Sequence, residues 1–441
     1  MMNRREVLTG ASAVVLAGCG QPEQAPGVAA QPVVVPGDDP FTGAGLMKDV
    51  ETYVGFGTHR TGSAGDLQTS EWFARRWHEL GYDVAQNEFP CPNADTTTAK
   101  FETAGETFEG FAQPPLAFSE PGGITAPTAY WNPASAADVM QRIAVVHIPR
   151  AAGAPPPGAA YREAFEKCRI AGALGIVAVM SSPSGEVSAI NTPVEMLMEI
   201  PVLQIGEKDK ARVDAAVTKR QPGKLTIEGP GGFRNGKTTI ARRGTAGNWV
   251  IISTPQSGWF TCGGERGPGI AMSLALAKWA AQRDFPVRFL FVATSGHEWT
   301  DYGAHLFHEA DAPDPKDTML WFHLGASFGA RAYQETAGGL QVLDTPNVSR
   351  TLMASEDMLA GCRAAFAGQV SIEQPAAADL AKALGEYRLV LEEGYSSSAG
   401  FWGYNAKFHT PVDGADSTTG AIMEPVARAV AKVIEERIAR G

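Results

Sequence analysis

Short apolar runs alternate with helical periodicity through the second half of the chain. Residues 248–253, 287–293 and 319–322 are nearly continuous apolar stretches, as expected of strands buried on both faces. Between and beyond them, 267–283 opens on a Gly/Pro turn and carries Leu274, Leu276, Ala277 and Trp279 at helical spacing. Residues 301–309 predict a further helix, and 424–440 a terminal one with Val426, Val430, Val433 and Ile434 on one side. Strands separated by helices predict an α/β fold with a mostly parallel sheet flanked by helices, and a site where strands end. Nearer the start, Trp72, Phe73, Trp77 and Leu80 recur on a helix that stops at Gly81, and a strand follows over 82–89.

Residues 115–232 read as a separate unit. Strands are expected at 142–148, 176–180 and 200–205, with a helix over 161–175 that ends in Ala-Gly-Ala-Leu-Gly. His147 and Cys168 fall in strand and helix settings within this unit and read as structural. The organisation expected is therefore a leader at 1–18, a tether at 19–40, one domain split over 41–114 and 233–441, and the inserted unit.

The leader begins with Arg4-Arg5, continues as an apolar stretch over 7–17 and ends in Leu16-Ala17-Gly18-Cys19. The apolar part is shorter than the roughly 18 residues a membrane-spanning helix needs. It resembles a twin-arginine lipoprotein signal, which implies lipidation of Cys19, attachment to a membrane and a location on the periplasmic side of the cell envelope. Residues 20–39, rich in Gln, Pro, Ala and Gly, read as a flexible tether. Net charge is −11 with no Lys/Arg cluster, which argues against a nucleic-acid partner. Besides Cys19 there are four widely spaced cysteines and no CxxC pair, so one disulfide is allowed and a Cys-rich zinc site is not supported.

Three segments carry candidate chemistry: Cys262-Gly263-Gly264-Glu265-Arg266-Gly267-Pro268-Gly269, Ser295-Gly296-His297-Glu298-Trp299 and Phe408-His409-Thr410-Pro411-Val412-Asp413. In order and context they resemble motifs of the di-zinc aminopeptidases (zinc exopeptidases) that carry a protease-associated (PA) domain insert. The resemblance extends from about Leu46 to the C-terminus, and the 115–232 unit is similar to the PA insert. It implies a metal-dependent hydrolase of peptides or related amides.

Several positions depart from the family pattern. Thr254 and Gln256 stand where it has a His and an Asp ligand, Glu265 where it has the bridging Asp, and Arg266 where an Asn follows. His297 replaces the proton-shuttling Glu, Glu298 keeps the second Glu, His323 replaces a further Asp, and His409 is kept. The expectation is one zinc or other divalent ion held by Glu265, Glu298, His323 and His409, with His297 as general base. Two alternatives stay open. One is an inactive homologue that binds peptides. The other is a metal-free hydrolase using Cys262 or a serine of 396–398. Aromatic residues near the motifs, among them Trp299, Trp402 and Tyr404, suit an apolar wall for the ligand.

Overall fold

The computed structural model describes residues 37–441 apart from 151–156, 197–198 and 337–338, so the leader, Cys19 and most of the tether lie outside the described residues. The main sheet has eight strands. From edge to edge they are Asp83–Pro92, Phe233–Arg243, Arg288–Thr294, Trp249–Pro255, Thr318–His323, Ser398–Gly403, Arg350–Ala354 and Ala376–Ala377. The central four run parallel, whereas antiparallel pairs flank them on both sides. The α/β class is as expected, but parallel pairing is confined to the centre and to the short far edge.

The apolar runs form strands because each buries both of its faces. Val250 and Ile252 face one core, with Phe291 and Phe322, while Ile251 faces the opposite core with Trp321 and Tyr387. Helix Gly267–Ala281 is buried nearly all round. It packs on the sheet and on helices Gly43–Gly55 and Gly420–Arg440. The last of these presents Val426, Val430, Val433 and Ile434 to the core, as their spacing predicts.

A second eight-stranded sheet is inserted between the first two strands of the main one, which pair antiparallel over residues 83–92 and 233–242. It includes strands Ile143–Ile148, Gly175–Met180 and Val202–Gly206, which are parallel, and helix Gly158–Ile170 packs against them. Its first strand is Thr98–Thr103, so the unit starts earlier than the expected boundary at 115. That strand buries Ala99, Phe101 and Thr103 alternately and pairs with Pro222–Glu228. His147 is ion-paired with Asp214 at 3.0 Å, and Cys168 lies on the buried face of helix Gly158–Ile170, both structural settings. Cys91, Cys168, Cys262 and Cys362 are all buried and free, so the disulfide that composition allowed is not formed among them. Among the described residues no helix is long and apolar enough to cross a membrane.

Candidate active site

The three motif segments meet at the carboxyl ends of the central parallel strands. A cavity of about 270 Å³ opens there, lined among others by Arg266, His297, Asp301, His323, Glu386 and His409. Phe401, Trp402, Tyr404, Phe408 and Leu384 form its apolar side. The inserted unit supplies another wall through Ile190 and Asn191. Its backbone is tied to two motifs: Ala189 N–H donates to His409 O (3.0 Å) and Thr192 N–H to Glu298 O (3.0 Å). His409 Nδ1 donates to Ala189 O (2.8 Å), which turns Nε2 toward Glu265.

Glu265 and Arg266 start the helix at the centre of the site. Asp413 accepts from the backbone N–H groups of Gly264 (3.0 Å) and Glu265 (2.9 Å), which locks the 262–265 loop to the His409 segment. Arg266 then folds back: Nε donates to Ser257 O (3.1 Å) and Nη2 lies 2.8 Å from Glu265 Oε1. Both side chains are at most 1% exposed. Burial opposes ionisation of Glu265, yet Arg266, with His409 and His297, holds its carboxyl down at about 2. Glu265 Oε1 is also 3.4 Å from His409 Nε2.

His297 occupies the other side of the cavity. Its Nδ1 is 2.8 Å from Asp301 Oδ1 and 3.3 Å from Glu386 Oε1. Burial and Arg266 both oppose its protonation, but the two carboxylates prevail and raise it to about 9. At neutral pH His297 is therefore an imidazolium, and the expected role of a free general base does not hold for this arrangement. Burial pushes His323 down to about 3, so it stays neutral, with Nδ1 2.9 Å from Ser253 Oγ.

The four expected metal ligands do not converge as a set. Glu265 and His409 meet and His323 shares their cavity, but Glu298 is turned away. Its carboxylate accepts from Thr61 N–H (2.9 Å), Thr61 Oγ1 (2.9 Å) and Ser257 Oγ (2.6 Å), and so it ties three loops together. Glu298→Ala is therefore expected to cost about 2–3 kcal/mol in chelator-treated protein, read by urea unfolding. Loss of a metal ligand alone would leave the stability of the metal-free protein unchanged. Thr254 and Gln256 are likewise scaffold: Thr254 Oγ1 donates to Leu324 O (2.9 Å), and Gln256 Nε2 to Asp66 Oδ1 (2.9 Å).

A divalent ion fits poorly between Glu265 and His409. Their 3.4 Å separation suits two ligands of one zinc, but the guanidinium already sits on the same carboxylate oxygen. An ion about 2 Å from that oxygen would lie within about 5 Å of Arg266, a repulsion of roughly 7 kcal/mol at an effective dielectric of about 20. A complete four-ligand zinc site supplies only about 10–16 kcal/mol, and this one offers two donors. With Glu265 and Arg266 cancelling, the place carries no net charge to attract a cation.

The thiol and serine alternatives do not reach the cavity either. Cys262 is 1% exposed and burial keeps its thiol well above the usual range, so it is no thiolate nucleophile. Ser398 is buried against Tyr387 Oη (3.2 Å), and Ser397 Oγ donates to Asp357 (2.7 Å). Among the described residues, neither Cys nor Ser is in the cavity lining.

Behind the motif loops, Asp66 accepts from Gly62 N–H (2.8 Å), Ser295 Oγ (2.7 Å) and Gln256 Nε2 (2.9 Å). Burial outweighs these bonds and raises its carboxyl from 3.8 to about 7. The unfolded chain thus gives up this proton first, and the stabilisation from the neutral form is lost as pH rises from about 4 to about 7. Asp66→Asn, which cannot ionise, is expected to compare more favourably with the parent at pH 8 than at pH 5. Urea unfolding at the two pH values checks this.

No family model matches the chain, and no curated protein matches it in sequence. Solved structures do. A zinc aminopeptidase from Bacillus subtilis superposes with a TM-score of 0.70 at 15% identity, over 90% of this chain and 96% of that one. A peptidase M28 precursor from Shewanella amazonensis SB2B gives 0.68 at 16% identity, over 89% and 92%. An aminopeptidase from Aneurinibacillus sp. strain AM-1 gives 0.62 at 14% identity, over 89% and 93%. Over about nine-tenths of its length the chain has the fold of these peptidases.

Proposed function

We propose that the chain is a peptidase-like hydrolase that acts on a short peptide or related amide in the cavity at the strand ends. The observation that supports this most is the convergence there of Arg266, His297, Asp301 and Glu386, ionic groups held in a largely apolar recess. Arg266 Nη1 is buried without a hydrogen-bond partner among the described residues. It is suited to receive the oxygen of a scissile carbonyl and the negative charge that develops on it. His297, held between Asp301 and Glu386, can pass a proton to a leaving amine. Leu384, Phe401 and Trp402 offer an apolar seat for a side chain of the substrate. The N-terminal segment supports a further proposal, that the protein is a lipoprotein anchored through Cys19 on the periplasmic side of a membrane.

A second reading is a binding protein without turnover. It is favoured by the Arg266–Glu265 pair, which stands against a metal between Glu265 and His409. Fluorogenic aminoacyl amides and dipeptides, supplied with and without zinc or manganese, separate the two. Turnover that Glu386→Gln abolishes is expected. Calorimetric binding of peptides with no turnover of any substrate would replace the first reading by the second.

A further inference from the structure

We infer that the cavity has a cation site of its own, formed by His297, Asp301 and Glu386 and distinct from the Glu265–His409 pair. Among the described residues these three are the group whose metal-binding atoms all lie within 4.8 Å of one another. His297 Nδ1 is 2.8 Å from Asp301 Oδ1 and 3.3 Å from Glu386 Oε1, a spacing that a small cation can draw into one coordination sphere. One imidazole and two carboxylates suit zinc or manganese, with at least one position left for water or substrate.

The three side chains are held in place before any ion arrives. Glu386 is 3% exposed, and its second oxygen accepts from Thr294 Oγ1 (2.7 Å), which leaves Oε1 to face His297. His297 and Asp301 are four residues apart around one tight turn, and both line the cavity, with their side chains 12% and 16% exposed. Charge separates this place from the one between Glu265 and His409. There one carboxylate is cancelled by the guanidinium beside it. Here two carboxylates face one imidazole ring, and with Arg266 cancelled by Glu265 the surroundings stay negative even while that ring is protonated.

The inference deepens the hydrolase reading: an ion here would take the place of the proton on His297 Nδ1 and would supply Lewis-acid polarisation of a substrate carbonyl at the same cavity. Its test reads ion binding rather than turnover, so each can fail without the other. Full-length protein stripped with chelator is dialysed to equilibrium against zinc or manganese alone, and bound metal is counted. One ion per chain is expected. Asp301→Asn and Glu386→Gln should each weaken binding about 100-fold or more, while His409→Ala binds as the parent does. Thermal unfolding of the metal-free variants shows that they fold, and His297→Asn serves if one of the carboxylate variants does not. Absence of a bound ion, or loss of the ion in His409→Ala with Glu386→Gln unaffected, overturns the inference.

Discussion

Arg266→Met is expected to destabilise the protein by about 3–5 kcal/mol, because it leaves the Glu265 carboxylate buried without its cation. That carboxylate is fully buried, and its close polar contacts are Arg266 Nη2 at 2.8 Å and His409 Nε2 at 3.4 Å. It is kept charged by its neighbours, Arg266 foremost among those that lower its pKa. The energetic weight thus lies in the pair rather than in either residue. The double variant Glu265→Gln/Arg266→Met should therefore recover most of the loss, since two uncharged side chains replace two buried charges. Urea unfolding of the parent, both single variants and the double variant gives the coupling energy. A double variant as unstable as the sum of the singles would show that the two residues act separately.

Gly303→Ala is the second large effect. A Cβ on Gly303 would sit 1.9 Å from Ser295 O and 3.0 Å from the Phe89 ring, one contact with backbone and the other with a core aromatic. Helix Tyr302–Ala310 starts here, directly after the loop that carries His297 and Asp301. Relief requires the helix or that loop to move, at an expected cost of about 3 kcal/mol. The displacement would also pull Asp301 from His297. Chemical unfolding checks the stability term, and a loss of turnover larger than the loss of folded protein checks the positional one.

The legible parts of the fold are those whose local pattern coincides with burial. Residues 249–253 and 287–293 are apolar on both faces because both faces are covered, and helix Gly267–Ala281 is apolar for the same reason. The start of the inserted sheet was not legible. Thr98–Thr103 is short, alternates mildly and gains its partner from Pro222–Glu228, more than a hundred residues on. At the site, His297, His323 and His409 do line one cavity, as their motif positions imply.

What the motifs did not carry is where side chains turn. The tight turn His297–Trp299 sends Glu298 back to Thr61 and Ser257, away from the cavity. Arg266 returns onto its own neighbour, which no spacing rule foretells. Asp301 had a usable signal, four residues after His297, but it reads equally well as the start of a helix. Glu386 had none. It lies 89 residues from His297 and reaches the site only through tertiary packing.

The arginine seated on Glu265 is the feature on which the reading of this site turns. An anomalous-difference map from crystals grown with zinc locates the metal directly. The expected peak lies among His297, Asp301 and Glu386, with the Arg266–Glu265 pair intact. A peak between Glu265 and His409, with the guanidinium displaced, would contradict it.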